Sequence, residues 1–368
     1  MGTARCIARL LTAALLLPAR PATADQVSEL AFAALARKVD AMAATIDLQA
    51  STIAQLQQQS APLTSPPPDP SRVSVLAFGA DPLGRADSTH AIQAALDSFS
   101  GRGGIVDIPS GRYRCDSELV VPASVTLLGT FRSTPTHAGP WDGGHGPAGN
   151  LTGSVLECYG GKGSANGTAF VTLNSDSTLE GVVIFYPEQV RAGTPVEYPF
   201  AVAMRGQDPA LLSCELHNPY QGIDASNNIR HNIKDIAGQP LLMGLFVDGV
   251  GDIGRVQNIH WHASIFSFAL TDWTMNHGTC FKFGRSDWEY VFNTFCWGWR
   301  IGYHFFESPS EDAAGNGANG PAGACNGNFL GIGADMVAIS VLVEATQQYL
   351  PTPGNKSVDL YSFTVWID

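Results

Sequence analysis

Two hydrophobic rhythms divide the chain. From Phe32 to Leu56 apolar residues return every seven positions, with Phe32, Val39, Ile46 and Ile53 at one seam position and Leu35, Met42, Gln49 and Leu56 at the other. This predicts a helix over residues 26–60 carrying four heptads and one polar seam residue, Gln49. Two roles fit it: a homo-oligomer formed through residues 32–56, or one amphipathic helix packed on the body of the protein. The mixed seam does not choose between dimer and trimer. A Pro-rich stretch within residues 61–72 follows as a semi-rigid spacer.

Over residues 73–368 the texture changes to short β-branched and aromatic runs broken by Gly, Asn, Asp and Pro, the mark of many short strands. One helix interrupts them, capped by Asp87 or Ser88, running through Ala91, Ile92, Ala95 and Leu96 and ending at Ser100-Gly101. Beyond it the chain repeats itself. Segments opening at Asp176, Asp208, Asp252, Asp287 and Asp335 each reach an apolar or β-branched residue seven or eight positions on, at steps of 32, 44, 35 and 48. Strands that stack in register while their turns vary in length give such an irregular period. The fold class expected is therefore all-β: a right-handed parallel β-helix of about eight coils with an N-terminal capping helix. Val358 to Ile367 reads as one further strand.

Composition narrows the function. With 45% hydrophobic and 15% charged residues the chain is globular, and a formal charge of −12 opposes a nucleic-acid backbone. Arg5 and Arg9, the apolar run Leu10 to Leu17 and the small residues Ala22-Thr23-Ala24 predict a signal peptide over residues 1–24 and a secreted protein. That run is too short to span a membrane. Six cysteines remain after it (Cys115, Cys158, Cys214, Cys280, Cys296 and Cys325), an even set open either to pairing or to life as buried thiols. Asn150, Asn166 and Asn355 open glycosylation triplets.

A resemblance rests on residues 75 to 113. Val75-Leu76-Ala77-Phe78-Gly79-Ala80-Asp81, then Asp87-Ser88-Thr89-His90-Ala91-Ile92-Gln93, then Gly103-Gly104-Ile105-Val106-Asp107-Ile108-Pro109-Ser110-Gly111-Arg112-Tyr113 resembles the N-terminal cap and first coil of the pectate-lyase-like superfamily, of the rhamnogalacturonase/epimerase-like type. The loop Asp81 to Ser88 departs from the family's usual Gly-Asp-Gly and paired Asp. The resemblance implies the β-helix fold and a polysaccharide substrate. It leaves the reaction open among hydrolysis, elimination, epimerisation and binding.

Hydrolysis needs two carboxyl groups flanking the scissile bond. Asp208, Asp252 and Asp287 are candidates for a ladder of carboxylates on adjacent coils, although Asp before a strand is also a common turn residue. Asp272 lies off the repeat. Asp287 and Glu289 share strand parity and are flanked by Trp288 and Tyr290, which makes them the preferred acid and base. A second column, Phe185, His217, His260 and Phe295, followed two places on by Pro187, Pro219, His262 and Trp297, forms either a sugar-stacking stripe outside the coil or core packing, depending on strand parity. Elimination would instead use Lys282, Arg285 or Arg300 as base and substrate clamp, with Ca²⁺ to neutralise a uronate. Otherwise no cofactor or metal motif is present. Gly206-Gln207-Asp208 and His277-Gly278 look like polygalacturonase fragments, but Arg300-Ile301 is followed by Gly302 and the cationic clamp is incomplete. The expected protein is a secreted glycoside hydrolase; the alternatives are a polysaccharide lyase or a non-catalytic glycan-binding protein gathered by its coiled coil.

Overall fold

The structure is a computed structural model and describes residues 24–59, 69–137, 151–308, 316–317, 320–321 and 323–344. The leader up to residue 23, the spacer up to residue 68, Asn150, Asn355 and the run 358–367 lie outside the described residues. The chain divides into two units at Pro68. The first holds one uninterrupted helix, Ala24–Gln59. Among the described residues no helix is long and apolar enough to cross a membrane.

The second unit is a parallel β-helix with three faces. Face one begins with Arg72–Ser74, Gly104–Asp107, Val125–Leu128 and Thr178–Glu180; face two with Leu83–Asp87, Gly111–Cys115, Ser154–Cys158 and Val182–Phe185. From Ala210–Leu216 onward each strand covers both faces, as in Asn232–Gly238, Val250–His262, Ser286–Trp297 and Cys325–Asp335. Face three is an eight-stranded sheet that includes Phe200–Met204, Gln221–Ser226, Met243–Asp248, Thr279–Phe283 and Ile301–Phe305.

Register explains the core. Val106, Leu127, Leu179, Leu211, Ile233, Val256 and Val291 are direct partners on successive coils, and all are buried. Each such side chain contributes about 1.5–3 kcal/mol by leaving water. On face two the inward row includes Leu216, Gly238, Trp261 and Cys296. Trp261 is fully buried, and Gly244 leaves room for its ring: a Cβ on Gly244 would meet the indole at 2.9 Å. The six cysteines among the described residues are all free thiols, five of them buried.

One residue per coil turns the strand from face one to face two. Gly181, Ser213, Asp235, Asn258, Asn293 and Gly331 take positive φ at matching registers. Short polar side chains tolerate this conformation, and here they also bond between coils. Asn258 Nδ2 donates to Asp235 Oδ1 at 2.7 Å, and Asn293 Nδ2 to Asn258 Oδ1 at 3.3 Å.

The capping helix runs Thr89–Asp97, with Ile92, Ala95 and Leu96 buried against the first coil. Of the two expected caps, the side chain of Asp87 accepts the Thr89 N–H at 3.0 Å, while Ser88 Oγ accepts from Asp81 N.

Candidate functional site

The Asp ladder is interrupted. The 44-residue step from Asp208 to Asp252 contains two coils of 22, and the coil between them opens with Arg230. Its guanidinium spans the gap, 2.6 Å from Asp208 and 3.2 Å from Asp252. Asp176, Asp208 and Arg230 all take positive φ at the corner between faces three and one, so these aspartates are turn residues. Asp335 belongs elsewhere, at the end of its strand beside Trp297.

The expected acid–base pair is not assembled. A bulge between Ser286 and Glu289 breaks the alternation, so residues two apart point to opposite sides. Asp287 is exposed and paired with Arg285 at 2.6 Å. Glu289 is fully buried inside the coil, accepts from Ser286 Oγ at 2.7 Å and lies 3.3 Å from His231. The cations are likewise dispersed. Lys282 stands on face three in the row of Asp224, Phe246 and His304, with its amine 4.4 Å from the Phe306 ring centre. Arg285 sits at the corner before Ser286, and Arg300 is exposed in the turn after Trp297. Asp272 is exposed in the first turn of the helix Thr271–His277.

The histidine column does point outward on face two, but its register differs from the one expected. His217 shares a row with Gln239, His262 and Trp297, whereas His260 shares one with Glu215, Ala237 and Phe295. The cause is that Ile259 pairs with Ile236 in the row of Cys214, leaving Trp261 to take the place of Leu216.

Loops close the early part of this surface. Val155, Val183, Phe185, Leu241, Phe266 and Leu270 form a second apolar cluster outside the coil. Beneath it Glu215 is clamped by His137 Nδ1 at 2.5 Å and His217 Nδ1 at 2.7 Å, and also accepts the His137 backbone N–H. Burial pushes its pKa up, but the two imidazole hydrogen bonds outweigh burial and hold the carboxyl below its ordinary range. Gln239, also buried, donates to Ala263 O and Ser267 O at 2.6 and 2.9 Å and accepts from Phe266 N and Ser267 N at 2.6 and 2.9 Å. These four bonds fix the loop that follows His262.

Beyond that loop the surface is open. His262 lies flat on Trp297 at 4.6 Å with an interplanar angle of 9°; His260 meets both His262 and Phe295 at 5.5 Å, and Phe268 approaches Trp297 at 6.2 Å. Ser264 N points at His262 Nδ1 at 3.3 Å, so that nitrogen accepts and Nε2 carries the proton. Burial, with His260 adding to it, lowers the His262 pKa to about 4, and the ring is neutral at neutral pH. Around the bend the same strand exposes Phe292, Tyr290 and Trp288. The open face thus offers rings for stacking and uncharged imidazoles for hydrogen bonding. Among the described residues no group of three His, Cys, Asp or Glu side chains is placed to hold a metal ion.

Glu215, His137, Gln239 and Phe268 were not singled out in the sequence. Only Glu215 gave a signal there, through its shared parity with His217.

A family model described as "Rhamnogalacturonase A/epimerase, pectate lyase-like" matches residues 72–189. The β-helix is of the pectate-lyase-like type. That match holds the capping helix and the first coils of the pectate-lyase-like β-helix; the open aromatic face lies beyond it. No curated protein matches the chain. Among solved structures it is similar to ORF18 of Geobacillus virus E2, with 15% identity over 73% of this chain and 48% of the other at a TM-score of 0.27. It is also similar to the pre-mature bacteriophage phi29 gene product 12, with 14% identity, 81% and 36% coverage and a TM-score of 0.38. A third is the catalytic unit of the GH87 alpha-1,3-glucanase of Streptomyces thermodiastaticus, with 16% identity, 66% and 43% coverage and a TM-score of 0.31. The chain spans less than half the length of each of these three.

Proposed function

We propose that the protein is exported and binds a polysaccharide on the open part of face two. The observation that carries this reading is the stacked pair His262 and Trp297, flanked by His260, Phe295 and Phe268 on a surface left uncovered by the described loops. Sugar rings present apolar faces to such aromatics and hydroxyls to neutral imidazoles. The N-terminal leader pattern and the exposed triplet residue Asn166 support export. Cleavage is the second reading. The row of His262 and Trp297 reaches Asp335, an exposed carboxylate, and hydrolysis would require a second carboxyl group opposite it.

Affinity electrophoresis of the full chain on gels containing neutral or uronic-acid polysaccharides tests the reading, with reducing ends and unsaturated uronate absorbance followed in parallel. Retention by at least one glycan, lost in Trp297→Ala, supports it. Retention unchanged in Trp297→Ala and His262→Ala together would move the site elsewhere. Release of reducing ends that disappears in Asp335→Asn would add hydrolysis to binding.

A further inference from the structure

The helix Ala24–Gln59 leaves its seam uncovered. Leu35, Val39, Met42, Ile46 and Ile53 are all exposed, Met42 by 65% and Ile46 by 61%. A lone helix in water takes most of its stability from packing an apolar face, so this seam requires a partner. The flanks say what kind. On one side of the stripe stand Ala36, Ala43 and Ala50, and on the other Lys38, Thr45 and Thr52. Such flanks allow close approach and carry no alternating charges that would select a different chain.

Gln49 fixes the geometry. It is the one polar residue among the described seam positions, and it occupies the position shared by Leu35 and Met42. In an antiparallel pair that position faces the other seam position of the partner, where Val39, Ile46 and Ile53 stand. Every antiparallel alignment along this seam therefore sets the amide against an apolar side chain, with its donors and acceptor unpaired. A parallel pair slipped by a heptad sets it against Met42 or Leu56. Only the parallel, unslipped arrangement places Gln49 beside Gln49, where each amide donates to the other's oxygen.

We infer that residues 33–53 join copies of this chain as a parallel, in-register coiled coil, with the chains all leaving it at the same end. Sedimentation velocity of the full chain, together with oxidation of two single-cysteine variants, tests this. Leu35→Cys lies in the seam and, in the parallel in-register form, meets itself; Ala44→Cys lies on the outer face. A dimer or trimer is expected, with Leu35→Cys giving at least 5-fold more interchain disulfide than Ala44→Cys or the unsubstituted chain. A monomer at micromolar concentration overturns the proposal. So does an oligomer in which the Leu35→Cys and Ala44→Cys yields are equal, since that is the antiparallel or slipped arrangement.

Discussion

Glu289 and His231 face each other across the interior of the coil, Oε2 to Nε2 at 3.3 Å, both fully buried and without the alignment of a hydrogen bond. His231 is oriented from behind by Asn228 Oδ1 at 3.0 Å, and Asn228 Nδ2 is spent on Ala225 O. Gly254 opposes the carboxylate so closely that a Cβ there would stand 2.3 Å from it. Glu289→Ala should lower the unfolding free energy by about 3 kcal/mol, because it strands a buried imidazole. Glu289→Gln, which keeps the shape, should cost less than half of that. Denaturant unfolding of the two variants decides this, and a Glu289→Gln protein of full stability that had lost glycan retention would return Glu289 to the binding surface.

Gln239 makes the wall of the open face. Its four bonds hold Ala263 to Ser267 in place and so position Phe268 beside Trp297. Gln239→Leu leaves those backbone groups unsatisfied, at a cost of about 3 kcal/mol. Amide exchange at residues 263–270 should accelerate at least 10-fold while the remote strand Thr178–Glu180 stays protected. Equal acceleration at both places would mean that Gln239 supports the whole coil and not the loop.

His262 predicts how binding depends on pH. Its folded pKa, about 4, lies below the ordinary histidine value. The neutral ring therefore favours the folded state fully above about pH 6.5, and this contribution is lost as the pH falls from there toward 4. NMR titration of the ring should show no protonation down to about pH 5. Glycan retention should be level from pH 8 to 5 and decline below that. A midpoint near 6.5 would show that Trp297 does not shield the ring.

How much of this was legible in the sequence depends on side-chain parity and on where parity breaks. The capping helix and the stacked aliphatic rows follow from local pattern, whereas the outward aspect of His260 and His262 stayed open until the structure placed Trp261 inside, after which alternation fixes the face. The Asp287 and Glu289 pair was misread because a bulge leaves no mark in residue types and reverses every inference drawn from counting by two. The coil between Asp208 and Asp252 was hidden because Arg230 takes the turn that Asp176 and Asp208 take on the coils before it. The clamp of Glu215 by His137 joins residues 78 apart, and no local spacing reports such a contact.

The bend residues give a prediction about backbone strain. Asn258 has φ 54° and donates to Asp235, so Asn258→Val should cost roughly 1–3 kcal/mol from its left-handed conformation together with the lost hydrogen bond. Asn258→Gly removes the conformational penalty and should cost less than Asn258→Val. Thermal denaturation of both variants would reveal the order, and a reversed order would show that packing of the side chain, and not φ, governs the position.

Two short coils, 22 residues from Asp208 to Arg230 and again from Arg230 to Asp252, contain almost nothing beyond three faces and their corners. The next, 35 residues from Asp252 to Asp287, spends its surplus in a single excursion between faces two and three, the one that holds Phe268 and the helix Thr271–His277. In this coil elongation is thus confined to one edge of the solenoid, and the residues from Ile253 to His262 pair with Trp288 to Trp297 beyond it. An excursion of different length would change what stands beside Trp297, as Phe268 does here, while the strands that carry His262 and Trp297 keep their pairing.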